Sequence, residues 1–228
     1  MKTLKISLDF ESPFHIGGGV SGESALLKPL LKDALGRPYV PGSAFKGVLR
    51  HEAERLVRAL VGEDAVCRPP QPETMCPQAP QYGKFCPVCR VFGSPALPAT
   101  WHFSDLHAED EVLIKTTTLR YGVGINRYRQ AAANDILYAT ETAERSPFLT
   151  FKGKITAATS STMRDRSSSS EQRGEVALLW AALKALKMLG GGRSRGLGWL
   201  HVEVEGVALE PEQIKEEVRT WLKNSPWQ

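Results

Sequence analysis

Two stretches of the chain alternate between apolar and polar residues, which predicts β-strands with one buried face. Their apolar positions are Leu4, Ile6, Leu8 and Phe10 near the N-terminus and Leu200, Val202 and Val204 near the C-terminus. Weaker alternation predicts two more strands, at 101–105 and at 148–156. The sequence therefore predicts four strands that each turn one face toward a core.

Three other stretches carry apolar residues at helical spacing. The first is predicted to begin at Ser43, a residue type that caps helices, and the second to end at Gly190. The third spans 212–222 and has only a modest apolar stripe. The stripe of the first helix comprises Phe45, Val48, Leu49, Ala53, Leu56, Val57 and Leu60, and that of the second comprises Val176, Leu179, Trp180, Leu183 and Leu186.

These elements follow in the order strand, helix, strand, strand, helix, strand, with long insertions between them. This order is typical of the split βαβ arrangement of ferredoxin-like and RNA-recognition folds. We therefore predict an α+β fold with a βαββαβ core, in a single domain over residues 1–228. The predicted insertions are a cysteine-rich segment at 64–100, a second segment at 112–147 and a mobile, serine-rich loop at 158–174.

The composition is that of an ordinary globular protein, with 228 residues of which 42% are hydrophobic and 24% charged. The net charge of +4 permits a polyanionic partner without requiring one. The apolar runs are too short to span a bilayer, and the first residues lead directly into a strand pattern rather than a signal peptide. We therefore expect a location in the reducing cytoplasm and no membrane partner.

All four cysteines of the chain fall within one proline-rich segment. They are Cys67, Cys76, Cys86 and Cys89, and only the last two have the C-x-x-C spacing of many metal sites. A segment so poor in apolar residues needs a cross-link, and tetrahedral zinc on four thiolates would supply one. Two disulfides are the main alternative, and catalysis by one thiol is a weaker one. In a reducing compartment the pattern favours structural zinc.

A glycine-rich stretch at 189–198 lies between the second helix and the last strand. It contains Gly191 and Gly192 as well as Arg193 and Arg195. Glycines let a ligand approach backbone N–H groups, and arginines add positive charge, so the combination suits phosphate binding. The alternative is a plain helix-to-strand turn.

Two other groups of basic residues are candidates for nucleic-acid contacts. Between 119 and 135, arginines are interleaved with tyrosines, a composition that suits single-stranded nucleic acid because arginine binds phosphate and tyrosine stacks on bases. On the first helix, two basic residues four positions apart share one face. These candidates are Arg120, Arg127, Tyr128 and Arg129 in the first group and Lys46 and Arg50 in the second. In both places the alternative is a solvated surface.

Several segments together resemble the CRISPR-associated RAMP proteins. Arg-Ser-Arg-Gly-Leu-Gly at 193–198 is similar to their C-terminal glycine-rich signature, and Phe-His-Ile-Gly-Gly at 14–18 and the stretch 38–47 also match. Gly-Ile-Asn-Arg at 124–127, through Pro-Phe at 147–148, resembles the thumb region of backbone subunits in type III effector complexes. These segments occur in the order found in the family and cover nearly the whole chain.

The resemblance implies a structural RNA-binding subunit of a type III CRISPR effector complex. Such subunits stack with copies or paralogues into a filament along the guide RNA, contact other subunits, and shape the guide–target RNA duplex with a thumb hairpin. Here the hairpin would be the insertion at 112–147. A zinc-binding, cysteine-rich insertion also occurs in some relatives. In this interpretation the basic residues hold the RNA backbone and Tyr128 stacks on a base.

The resemblance also raises a second class of function, that of a ribonuclease. Type III backbone subunits commonly cleave target RNA with an aspartate in the loop after the first strand, but that position aligns with Leu27. Glu23 and Asp33 are weak substitutes for target cleavage, with which Mg²⁺ could assist, and His15 is a weak candidate for guide-RNA processing. We therefore favour a subunit that binds RNA without cutting it.

Overall fold

The computed structural model describes residues 3–18, 27–77, 85–108, 117–144, 150–158, 169–206 and 210–223. Most of the serine-rich loop predicted at 158–174 lies outside these residues, as does Glu23. Within them the chain combines β-sheets with α-helices, in agreement with the predicted α+β class. No helix among the described residues is long and apolar enough to cross a membrane.

The larger sheet contains the four strands that the alternation of apolar residues predicts. In spatial order its strands are β3 (Tyr39–Val40), β5 (Leu106–Ala108), β8 (Thr150–Ala157), β1 (Thr3–Phe10) and β9 (Leu200–Glu205), and β4 (Trp101–Phe103) also pairs with β8. All these pairings are antiparallel. On central strand β1, Leu8 lies opposite Phe151 on one side and Val202 on the other, and all three are buried. The predicted apolar face is therefore one wall of the core.

The helices complete that core. They are α1 (Gly42–Val61), α2 (Pro87–Phe92), α3 (Ser169–Ala185) and α4 (Pro211–Lys223). α3 contacts both α1 and α4, and its Leu179 and Leu183 are fully buried. The predicted end of this helix at Gly190 is wrong, because the helical segment stops at Ala185 and the chain then pairs Met188 with Trp199 beside β9.

The N-terminus of α1 is fixed by a residue from another element rather than by the predicted Ser43 cap. The helix begins at Gly42, so Ser43 already lies in its first turn. The carboxylate of Asp105, between β4 and β5, accepts the N–H of Gly42 at 2.7 Å. A Cβ at Gly42 would lie 2.5 Å from the backbone oxygen of Phe103, which leaves room only for glycine. The motif at 38–47 therefore packs the start of α1 closely against the connection between β4 and β5.

A second, smaller sheet is formed mainly by the chain between β5 and β8, which folds into a hairpin. It consists of β2 (Leu27–Lys28), which is parallel to β7 (Ala131–Ala143), and β6 (Thr117–Asn126), which is antiparallel to β7. The hairpin is implied by the family resemblance, but neither it nor β2 is among the strands predicted from alternation. β2 lies in 20–37, which has the composition of a loop, whereas β6 does carry an apolar residue at every second position from Leu119 to Ile125. These apolar side chains share one face of β6, and they are exposed in the described chain instead of facing a core.

Candidate nucleic-acid interface and metal centre

The four cysteines converge on one point. Their sulfur atoms all lie within 4.8 Å of one another and all four residues are buried. The Cys67 sulfur is 3.5 Å from that of Cys89 and 3.7 Å from that of Cys86. A disulfide requires about 2.05 Å, whereas tetrahedral zinc with Zn–S bonds of about 2.3 Å separates the sulfurs by roughly 3.8 Å. The cysteines are free thiols whose spacing fits a metal and not the alternative of disulfides.

The local structure explains how four distant cysteines meet. Cys67 follows a 3-10 turn at the end of α1, and Cys76 follows a second such turn, Pro72–Thr74. Cys86 and Cys89 lie at the start of α2, where one helical turn brings their side chains to the same side. The N–H of Cys86 also donates to the sulfur of Cys76 at 3.2 Å. The C-x-x-C pair thus provides a rigid half of the site, and the two turns fold the other half onto it.

The crowding of the thiols changes their acidity. Hydrogen bonds from the side chains of Cys76, Cys86 and Cys89 hold the pKa of Cys67 far below the usual range. The hydrogen bond with Cys67 in turn raises the pKa of Cys89 well above the usual range. Four thiolates at these distances would repel one another, so without a cation few of the thiols ionise together. A divalent soft-ligand metal removes that repulsion, and four thiolates complete a tetrahedral shell with no position left for substrate. The donor set therefore fits a structural zinc ion.

The glycine-rich loop packs against the exit of β1 through its backbone. The N–H of Gly191 donates to the His15 carbonyl at 2.8 Å, and that of Gly198 donates to the Pro13 carbonyl at 2.8 Å. A Cβ at Gly190 would lie 2.4 Å from the His15 oxygen, and Gly190 has φ +98°. Close packing therefore explains the glycines. The Gly191 N–H is not free for phosphate, and Gly192 serves as the left-handed residue before the 3-10 turn Arg193–Arg195.

The two arginines of this loop remain on the surface, and one of them reaches the hairpin. Arg193 and Arg195 are exposed at the turn. Arg195 donates from Nη1 to the hydroxyl of Tyr138 on β7 at 2.7 Å, with its guanidinium 5.7 Å from the ring centroid. The ammonium of Lys28 on β2 lies 5.0 Å from the same centroid. Two cations, Arg195 from the loop and Lys28 from the smaller sheet, thus adjoin one aromatic ring.

Tyr138 is the residue of this surface that the sequence analysis does not single out. It lies opposite Gly122 across the hairpin, and a Cβ at Gly122 would lie 2.4 Å from its ring. The glycine therefore leaves space for the tyrosine to cross β6. A glycine within the 119–135 stretch was visible in the sequence, but only the hairpin register identifies the side chain that fills the space.

The tip of the hairpin presents the basic and aromatic residues that the sequence highlights. Asn126 accepts the N–H groups of Tyr128 and Arg129 with its side-chain oxygen, each at 3.0 Å, which folds the turn and directs it outward. Tyr128 is 96% exposed, and Arg127 and Arg129 are exposed beside it. Arg120, nearer the base, lies 3.7 Å from Glu144. At such a tip the tyrosine can stack on a base while the two arginines beside it bind phosphate.

Lys46 and Arg50 do not point to a common ligand. The ammonium of Lys46 lies 5.8 Å from the ring centroid of Phe103, and partial burial lowers its pKa. Arg50 points to the cysteine cluster, where it donates to the sulfur of Cys89 at 3.3 Å. Its partners within the protein, which also include Glu54, make Arg50 a poorer candidate for RNA than the exposed arginines.

The weak catalytic candidates have structural partners. Asp33 accepts N–H groups from Leu35 and Arg37 and the side chain of Arg37, all at 2.9 Å, and these bonds keep its pKa below the ordinary value. The His15 ring is 9% exposed and donates from Nδ1 to the Glu141 carbonyl at 2.8 Å. Leu27 lies in β2 opposite Ala139.

Comparison with known proteins agrees with these features. A family model described as the RAMP superfamily matches residues 7–201, from β1 through the glycine-rich loop to β9. The comparison with curated proteins gave no match. Because the match covers well over half of the 228 residues, the chain belongs to the CRISPR-associated RAMP superfamily.

Proposed function

We propose that this chain is a structural RNA-binding subunit of a type III CRISPR effector complex, which stacks along the guide RNA and shapes the guide–target duplex. Membership of the RAMP superfamily indicates a CRISPR-associated, RNA-binding function. The contact between Arg195 and Tyr138 is the observation that carries the proposal, because it joins the arginine-bearing loop to the hairpin in one surface.

This surface has the chemistry that a single RNA strand requires. Arg193 and Arg195 supply planar guanidinium groups for phosphates, and Lys28 adds charge beside Tyr138. At the hairpin tip, Tyr128 offers an exposed ring to an unstacked base. Phosphate contacts of this kind bind any sequence, as a guide-binding subunit must, while base pairing between guide and target supplies specificity.

The topology supports a ferredoxin-like core with a thumb. In the larger sheet the order β5, β8, β1, β9, with α1 and α3 in the two crossovers, corresponds to a βαββαβ arrangement. The hairpin of β6 and β7 is inserted between β5 and β8 and lies within 112–147, the segment that the resemblance implies as the thumb. In a filament this hairpin would reach the guide–target duplex and a neighbouring copy, paralogue or other subunit.

The cysteine cluster is assigned to structural zinc in the insertion at 64–100. Four buried thiols close together suit that ion and leave no open position for catalysis. Zinc here would hold α2 and the two 3-10 turns against α1 in a segment with few apolar residues.

A target-RNA endoribonuclease is the alternative function, and the geometry favours it less. Leu27 replaces the expected aspartate and carries no group that moves a proton or binds Mg²⁺. Asp33 is engaged by Arg37, and Glu23 lies outside the described residues. A guide-processing role for His15 would have to proceed with its Nδ1 bonded to the backbone of Glu141.

The test is to purify the native complex through a tag on this chain and to sequence its RNA. We expect CRISPR guide RNA. With that RNA, the double variant Arg193→Ala, Arg195→Ala should bind more weakly, and the salt dependence of its affinity should fall by about 0.7 per lost phosphate contact. Lys5→Ala with Lys215→Ala removes the same charge elsewhere and serves as the control. Bound RNA unrelated to guides, or equal slopes for both double variants, would contradict the proposal.

A further inference from the structure

The side chain of Arg50 bridges α1 and the cysteine cluster. Its Nη2 donates to the sulfur of Cys89 at 3.3 Å, its Nη1 donates to the carbonyl of Gly93 at 2.7 Å, and its Nε donates to Glu54 at 3.1 Å. Cys89 lies in α2 and Gly93 directly follows it, while Glu54 lies one turn further along α1. Two nitrogens of the guanidinium therefore bind α2 and the residue after it, and the third holds the guanidinium on α1.

The position of this charge matters to a metal on the four cysteines. Four thiolates around Zn²⁺ carry about two net negative charges, and the protein must stabilise that excess in a buried site. Arg50 brings a positive charge into contact with one of those sulfurs, and its side chain is only 25% exposed. Glu54 and the Gly93 carbonyl hold the guanidinium in place, so the N–H directed at Cys89 is already oriented before a metal arrives.

We propose that Arg50 is a positioning residue of the metal centre, acting through Cys89 rather than through RNA. Its N–H stabilises the Cys89 thiolate that binds the metal and offsets part of the negative charge of the loaded site. Because the same side chain belongs to α1, loading of the metal and the docking of α2 on α1 are coupled. The proposal goes beyond the RNA-binding function and does not depend on it.

The test measures metal retention in the full chain. Wild type, loaded with zinc, is expected to hold about one ion per chain and to release it slowly to a colorimetric chelator. Arg50→Met keeps the length and packing of the side chain but removes its charge and donors. Its zinc affinity should fall about tenfold to a hundredfold, the usual loss for an outer-shell partner. Arg50→Lys retains one charged donor and should recover part of the loss.

Three comparisons separate this role from simple packing. Arg55→Met is the matched control, because Arg55 lies on the same helix but forms its ion pair with Glu52, at 2.9 Å. Unfolding in the presence of chelator measures the metal-independent loss from the bonds to Gly93 and Glu54, and the difference in stability between wild type and Arg50→Met should become larger once zinc is bound. Cobalt-loaded samples should also differ in their thiolate-to-metal absorption bands.

Three results would overturn the assignment. A wild-type chain that binds no zinc removes the centre itself. Equal zinc affinity for Arg50→Met and Arg55→Met removes the role of Arg50. A loss of stability in Arg50→Met that is the same with and without metal, and unrescued by Arg50→Lys, makes Arg50 a packing residue between α1 and α2.

Discussion

Two residues, Gly42 and Asp105, determine how the N-terminus of α1 is held in place. Gly42 lies against the backbone of Phe103, and Asp105 supplies from the neighbouring connection the acceptor that a helix usually finds in its own first residues. The Pro-Gly-Ser sequence at 41–43 therefore lets α1 pack closely against the connection between β4 and β5. A candidate cap read from the sequence alone was the wrong residue, because the true partner is 63 residues away.

Asp105→Ala should destabilise the protein by about 1 kcal/mol, the typical effect of losing a helix cap. The N–H of Gly42 then loses its 2.7 Å acceptor while remaining beside the strand connection. Denaturant unfolding measures the change. Asp105→Asn keeps an acceptor oxygen at the same place and should lose less, whereas Ser43→Ala should have little effect. The opposite ranking would restore Ser43 as the cap.

At the metal centre the sequence predicts the ligands but not their surroundings. The C-x-x-C spacing and the concentration of cysteines in one segment were sufficient to identify Cys67, Cys76, Cys86 and Cys89 as one group. The role of Arg50 could not be predicted, because helical spacing places Lys46 and Arg50 on one face without showing what packs there. The insertion folds back over α1 and takes Arg50 away from the solvent.

Among the elements, the hairpin is the one that hydrophobic periodicity identifies least clearly. Its apolar side chains Tyr121, Val123 and Ile125 lie two residues apart but are exposed, so the period is present without the burial that normally accompanies it. Gly122 and Gly124 further weaken the pattern, and they are required because Tyr138 and Ile136 cross over them. The candidate residues at the tip were nevertheless predicted, since interleaved arginine and tyrosine is a signal of composition rather than of periodicity.

Tyr128→Ala should weaken guide-RNA binding by about 1–3 kcal/mol, the cost of one lost base–aromatic stack. The salt dependence of the affinity should stay unchanged, because no phosphate contact is removed. Binding measured at several salt concentrations checks both statements. Tyr128→Phe keeps the ring and is the control. A fall in the salt slope, or an equal loss in the phenylalanine variant, would show that the tyrosine acts through something other than stacking.

Glu141 fastens the loop after β2 to the hairpin. Its carboxylate accepts the N–H of Leu30 at 3.0 Å and pairs with the ammonium of Lys32. Partial burial opposes ionisation, but the bonds from Lys32 and Leu30 prevail and hold the pKa of Glu141 below its ordinary value. A carboxylate with a lowered folded-state pKa stabilises the fold above its unfolded pKa and loses that contribution as the pH falls through the folded one.

Glu141→Gln should therefore be less stable than wild type at neutral pH. The difference should shrink as the pH falls below the ordinary glutamate value of about 4.3 and through the lowered folded-state pKa. Urea unfolding across this range measures it. Glu205→Gln is the control, since the exposed pair of Glu205 with Lys5, at 3.6 Å, should contribute little at any pH. A constant difference for Glu141→Gln would mean that shape and not charge holds the loop.

At the scale of the whole molecule, the elements that bury an apolar face are the ones that the sequence predicts. The four predicted strands of the larger sheet each bury one face, so their order along the chain and much of their extent follow from alternation. The strands β3 and β5, of two and three residues, are too short to show such a pattern. β2 has only two residues and takes its place from β7, which no local pattern specifies. The same strand contains Leu27, the position that the resemblance aligns with the aspartate of cleaving subunits, so no local pattern predicts the surroundings of that position either.

If the chain stacks in an effector complex as proposed, cleavage of the RNA opposite it would require a catalytic group in the loop after β1. Leu27 cannot activate the 2′-hydroxyl of RNA or bind Mg²⁺, and Asp33 already serves Arg37. The wild-type complex, given complementary RNA and Mg²⁺, should therefore leave the phosphodiester facing this subunit intact, as gel analysis of end-labelled target would show. Leu27→Asp is the informative variant, since cleavage that it introduces and that a chelator abolishes would show that only the acid is missing. Cleavage by wild type that is lost in Glu23→Ala or in Asp33→Ala would instead make this chain a ribonuclease.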